Sequence, residues 1–166
     1  MATALPRPTA RPRSAVATIM GLVMMAGVLI ASAATPAQAA TYCPPPNDHQ
    51  VVGDIEQRYI AMGGPEGALG CPLTGELVNP DGEGRRTQFE GGTIYWSPST
   101  GAWPVWGHIG EQWCLNGCEA GWMGYPTSYE YTVGDEIRQN FECTVWHFRD
   151  LGGGTTQLWH DGNICV

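Results

Sequence analysis

Ile55, Tyr59 and Met62 are spaced four and three apart, with Glu56-Gln57-Arg58 between the first two. That spacing predicts a short amphipathic helix. Asp54 stands where a carboxylate can cap it. Gly63-Gly64 ends it, because glycine accepts the left-handed conformation beyond a helix end, and Pro65 prevents resumption. The same face returns at Ile109 and Trp113, with Asn116-Gly117 as the stop. Two turns of helix hold together through packing rather than propensity. The stretch from Gly67 to Gly75 reads as a bent loop, and Asp81-Gly82 and Gly84 mark turns. The period then changes to two. Arg85–Glu90 and Thr93–Ser97 alternate as paired strands, with Gly91-Gly92 as the hairpin turn. This alternation puts Phe89, Ile94 and Trp96 on the buried face and Tyr95 outward. Pro98 stops the strand, and Gly101–Gly107 predicts an edge strand, where Pro104 is tolerated.

The pattern occurs twice. Ile55, Tyr59, Gly63, Gly67, Gly70, Pro72 and Glu76 match Ile109, Trp113, Gly117, Gly121, Gly124, Pro126 and Glu130, always at an offset of 54. Phe89-Glu90 returns at Phe141-Glu142, at an offset of 52. The expected fold class is mainly β with short helices: two tandem small β-rich modules stabilised by disulfides. The boundaries read as a Pro-rich lead at 40–53, one repeat at 54–107 and a second at 108–166 with a degenerate C-terminal end. Modules of this size bury little apolar surface, so neighbour contacts and disulfides are expected to help.

The first 39 residues read as an address rather than as fold. Arg7, Arg11 and Arg13 precede an uncharged stretch from Ala15 to Ala34, then Pro36 and Ala37-Gln38-Ala39. These are the basic, apolar and small-residue parts of a secretory signal peptide. An uncleaved membrane anchor is the rival reading. All six cysteines (Cys43, Cys71, Cys114, Cys118, Cys143 and Cys165) follow this segment. An even count in an exported chain predicts disulfides and leaves the pairing open. Cys114 and Cys118 would lie too far apart on an intact helix and can pair only if it ends at Asn116-Gly117. No paired CxxC accompanies His147 or His160, so neither a metal site nor a cofactor is expected.

The formal net charge is −8, with sixteen acids, eight Arg and no Lys. Beyond the signal segment only five Arg remain against all sixteen acids. That balance argues against a nucleic-acid partner and against a clamp on an anionic membrane. Catalytic signatures are equally thin. No serine lies in a G-x-S-x-G elbow, and His49, His108, His147 and His160 are scattered without H-E-x-x-H. Ser128 reads as a turn residue capping backbone amides. Glu76, Glu130, Glu90 and Glu142 recur in pairs and read as structural acceptors for loop amides. Glu76 or Glu130 as the acid or base of a small hydrolase is the least favoured reading.

Binding remains. Seven Trp and six Tyr are more than two small cores need. Their flat faces and polar tips suit stacking on sugar rings. Trp113 and Trp96 are assigned to the core. Tyr95, Trp103, Trp106, Tyr129 and Trp146 are the candidate exposed contacts, and Arg86 is a candidate for an anionic group.

Certain residues carry a more specific resemblance: Leu69-Gly70-Cys71-Pro72, Met123-Gly124-Tyr125-Pro126, Gly63-Gly64-Pro65-Glu66-Gly67, Gly84-Arg85 and Phe89-Glu90-Gly91-Gly92-Thr93-Ile94-Tyr95-Trp96-Ser97-Pro98. Together they resemble the LGFP repeat of actinobacterial cell-envelope proteins. Two departures stand out: Cys71 takes the aromatic position of the first motif, and no Trp-Ser-Pro follows Phe141. The resemblance implies a secreted, cell-wall-associated, non-catalytic protein whose partner is the peptidoglycan–arabinogalactan polymer. It makes Arg85, in the Gly-Arg pair, a ligand-binding candidate, alongside a structural bridge to Glu76 or Glu90. The alternative is a structural spacer or a module that binds another envelope protein. N-terminal sequencing of the exported protein is expected to begin at Ala40; a start at Met1 would contradict signal cleavage.

Overall fold

A computed structural model describes residues 40–165, and the expected signal segment lies outside them. The chain opens with a two-stranded hairpin, β1 (Ala40–Thr41) and β2 (Gln50–Val51). Then come α1 (Gly53–Ala61), a 3-10 turn (Gly64–Glu66), β3 (Leu77–Val78), β4 (Arg85–Phe89), β5 (Gly92–Ser97) and β6 (Gly101–Val105). The order repeats as α2 (Gly107–Leu115), a 3-10 turn (Cys118–Ala120), β7 (Tyr131–Val133), β8 (Glu136–Asn140), β9 (Val145–Gly152) and β10 (Thr155–His160). Each set of four strands forms an antiparallel meander. The chain is thus mainly β, with two short helices and three disulfides.

The helices bury the expected faces, Ile55 and Tyr59 in α1 and Ile109 and Trp113 in α2. Gly63 (φ 98°) and Gly117 (φ 103°) end them in the left-handed region. Asp54 is not a cap: Val52 takes that position without a side-chain bond. Asp54 lies inside the first turn and accepts the Trp96 indole N–H at 2.9 Å. The β4–β5 turn is Glu90-Gly91 rather than Gly91-Gly92, because Gly92 already pairs with Phe89. Pro104 occupies edge strand β6 as expected. In the second copy the strand pattern is complete, with β9 and β10 joined through Gly153-Gly154.

The motif residues divide the folding work between them. Leu69 and Met123 are fully buried. Gly70 (φ 65°) and Gly124 (φ 68°) are left-handed, and a Cβ on either would overlap the carboxylate of Glu90 or Glu142. Those same carboxylates accept the amides of Cys71 (3.1 Å) and Tyr125 (2.8 Å), the structural role expected of this glutamate pair. Pro72 and Pro126 bridge to Phe89 and Phe141.

The third motif residue fastens its unit to whatever precedes it. Cys71 is bonded to Cys43 of the lead. Tyr125 donates its phenol proton to Asp81 of the first copy and accepts the Asn79 amide N–H at 3.1 Å. Cys114, in the last turn of α2, is bonded to Cys118 past the helix end at Leu115, so the helix does stop between the two as that pairing requires. Cys118 is left-handed at φ 51°, in the place where the first copy has Gly64 at 58°. Cys143–Cys165 ties down the last described segment.

Two cores result. Val51, Ile55, Tyr59, Leu69, Phe89, Ile94 and Ala102 form the first. Ile109, Trp113, Met123, Tyr125, Phe141 and Trp146 form the second, joined by Tyr95 and Val105 from the outer face of the first sheet. The lead hairpin does for the first core what β5–β6 does for the second. Tyr42 meets Tyr59 edge-on at 5.1 Å, as Tyr95 meets Trp113 at 4.7 Å. Val51 stands 54 residues before Val105, and both are buried. Asn47 binds Glu90 at 3.4 Å, as Ser99 binds Glu142 at 3.0 Å. The lead is therefore an abbreviated preceding sheet that caps the array.

The Tyr125–Asp81 clasp has a calculable pH signature. Burial and the Asp81 contact push the Tyr125 phenol well above its ordinary 10.0. Burial raises Asp81, but the bonds from Tyr125, Glu83 and Gly84 and the charge of Arg85 outweigh it, leaving the carboxyl below 3.8. A lowered acid contributes stability above its unfolded pKa and loses it as pH falls through the folded one. A raised phenol contributes below about 10 and loses it above. Tyr125→Phe is therefore expected to cost about 1–2 kcal/mol in urea unfolding between roughly pH 4 and 10. The deficit should shrink on either side of that window.

Candidate functional site

The same surface cleft occurs once in each copy. The first, of about 360 Å³, is lined by Gly53, Asp54, Ile55, Glu76, Arg85 and Trp96. The second, of about 150 Å³, is lined by Trp106, Gly107, His108, Ile109, Glu130, Ile137 and Phe148. Gly53, Asp54, Ile55 and Glu76 match Gly107, His108, Ile109 and Glu130 at an offset of 54. Arg85 and Trp96 match Ile137 and Phe148 at 52, and each of these two pairs is directly cross-strand in its sheet. The start of a helix supplies the floor, the loop before the sheet supplies the glutamate, and two adjacent strands supply the wall.

The two clefts differ in chemistry. In the first, Arg85 faces Glu76 at 3.7 Å, with both side chains about one-third exposed, so the pair is weak; one terminal nitrogen of Arg85 is taken by the Glu83 and Gly84 carbonyls. Trp96 is half-buried, and its indole N–H is held by Asp54. The result is a flat ring edged by two carboxylates and a guanidinium, suited to a polyhydroxylated ligand. In the second, Ile137 and Phe148 replace the guanidinium and the indole, and His108 stacks on Phe148 at 5.0 Å. Burial raises the Glu130 carboxyl above its ordinary value, while the Trp106 indole N–H, 2.8 Å away, pulls it partly back.

Of the residues expected to contact ligand, Arg85 lines the first cleft and Trp106 the second. Trp103 and Tyr129 meet edge-on at 5.3 Å in a separate cluster around Arg58. The Arg58 guanidinium lies 4.0 Å from the Trp103 ring centre and 4.8 Å from that of Tyr129. Arg58 also donates to the Tyr129 hydroxyl and the Ala102 carbonyl, both at 2.6 Å. Those aromatics therefore clamp an arginine of α1 and join the copies. Arg86 donates to Asn79 at 2.9 Å and lines a hollow between the copies.

Tyr95 and Trp146 are not exposed contacts. Alternation placed Tyr95 correctly on the outer face of its own sheet, but the second copy covers that face, leaving the ring 8% exposed. Trp146 occupies the register position of Ile94, packs inward and donates to the Met123 thioether. Sequence reasoning missed Asp54, Trp96, His108, Ile137 and Phe148 as cleft residues. The available signal was the offset of 52 carried past Phe141 into β9. His147 is held by Glu136 at 3.1 Å and Asp161 at 3.0 Å. Its bond, with Arg138 and Arg149, draws the Glu136 carboxyl below its ordinary range.

The LGFP repeat family model matches residues 69–121, about one repeat length starting at Leu69-Gly70-Cys71-Pro72. The chain therefore carries an LGFP repeat. No curated protein matches it.

Trp106→Phe removes the donor that stabilises ionised Glu130. The Glu130 carboxyl is then expected to titrate at higher pH than in the unmodified protein, read by carboxyl-carbon NMR. An unchanged midpoint would contradict the assigned bond.

Proposed function

We propose that the protein is a secreted, non-catalytic, cell-wall-associated LGFP repeat protein that binds the envelope polymer through its repeated clefts. The recurrence of one cleft at equivalent positions of both copies carries this reading. A polymer presents the same groups at intervals, and two weak sites on one chain gain avidity from that. The second copy is read as a further LGFP module because it repeats the element order and carries Met123-Gly124-Tyr125-Pro126. The first cleft is the principal site, since it keeps the indole, the guanidinium and two carboxylates. Its carboxylates, on a chain this acidic, favour a neutral glycan over an anionic one. The peptidoglycan–arabinogalactan polymer is the target that the LGFP resemblance suggests.

A structural spacer is the second reading, favoured by the Tyr125–Asp81 and Arg58–Tyr129 links that stiffen the join between copies. Sedimentation with insoluble cell wall separates the two. The protein is expected in the pellet at both low and high salt. Trp96→Ala and Arg85→Gln should each weaken retention roughly three- to tenfold, and Ile137→Ala less. Protein left wholly in the supernatant would overturn the binding reading.

A further inference from the structure

A second kind of site lies between the two copies, apart from the clefts. A hollow of about 230 Å³ is lined by Pro80, Arg86, Gln88 and Tyr95 from the first copy and by Gly117–Ala120 from the second. On its second-copy side is Glu119, 7% exposed and at the centre of the 3-10 turn Cys118–Ala120. Among the described residues its carboxylate has neither a hydrogen-bond partner nor an ion pair. The residue is buried, but its carboxylate oxygens are not among the solvent-shielded atoms that lack a partner, so they open to solvent and are free to take a ligand donor. Arg86 lines the same hollow from the opposite copy. It uses one terminal nitrogen, on Val78 and Asn79, which leaves the rest of its guanidinium fork unengaged. The Tyr95 hydroxyl is likewise without a hydrogen bond among the described residues.

Glu119 is held in place for this. The disulfide Cys114–Cys118 clamps the residue before it, whose left-handed backbone (φ 51°) would otherwise favour glycine. The first copy has Pro65 where the second has Glu119, so the fold of a repeat does not need the carboxylate. A positive and a negative group therefore face one small cavity without pairing with each other. A ligand bearing one carboxylate and one ammonium satisfies both at once.

We infer that the hollow between Arg86 and Glu119 binds a small zwitterion, an amino acid or a short peptide end, with its carboxylate on Arg86 and its ammonium on Glu119. The hollow shares no lining residue with either cleft, and the inference does not depend on the polymer-binding reading. Titration calorimetry on the disulfide-intact protein tests it, with alanylalanine as probe. N-acetylalanine (carboxylate only) and alaninamide (ammonium only) serve as controls. Saturable binding of alanylalanine is expected, with each control at least about tenfold weaker. Glu119→Gln should reduce alanylalanine to the affinity of N-acetylalanine, and Arg86→Gln to that of alaninamide. Chemical-shift changes in the unmodified protein should centre on Gly117–Ala120 and Arg86, which keeps the test open if a variant fails to fold. No saturable binding, equal affinity for a single-charge control, or shifts centred on Asp54 and Glu76 would each overturn the inference.

Discussion

A glycine and a glutamate pressed together in each copy set the geometry on which the rest depends. Gly70 and Gly124 adopt a left-handed backbone, and their lack of a Cβ lets Glu90 and Glu142 reach across to the next amide. That contact locks the motif loop onto the β-hairpin of its own sheet. With the loop fixed, Leu69 and Met123 point into the cores and Pro72 and Pro126 bridge to the sheets. The third motif residue is aimed at the preceding unit. Any side chain at the glycine would strain the backbone and displace the carboxylate together.

What the third residue does shows how one geometry accepts different chemistry. Where the preceding element is a hairpin of two-residue strands, a disulfide supplies the hold. Where it is a full four-stranded sheet, a phenol, a carboxylate and an amide suffice. Both solutions leave the helix start, the glutamate loop and the strand wall disposed alike, so each copy presents the same cleft. The cleft linings and the Tyr125–Asp81 contact use different residues, so the lining can vary without disturbing that contact.

Local order was legible wherever it rested on local patterning. The helix faces, the glycine stops, the paired strands and the repeat offsets all follow from spacing along the chain. What failed was knowledge of the neighbour. Tyr95 is outward in its own sheet and inward in the assembly, a distinction that one repeat cannot encode. Trp103 and Tyr129 have the exposure and chemistry of ligand platforms, but they hold Arg58 from another element. The capping role of the lead was hidden because its strands are too short to alternate; the one trace was Val51, 54 residues before Val105. The first cleft was half visible, through Arg85, and its Asp54–Trp96 pair joins residues 42 apart.

The central claim is that the glycine–glutamate contact of one copy governs its junction with the copy before it. Native-state hydrogen exchange on Glu142→Ala tests this most directly. Protection should fall at the Tyr125 amide and, across the junction, at the Glu83 and Gly84 amides that Asp81 accepts. The Ile94 amide in the first core should keep its protection. Loss confined to the Tyr125 amide, with Glu83 and Gly84 unchanged, would contradict the claim.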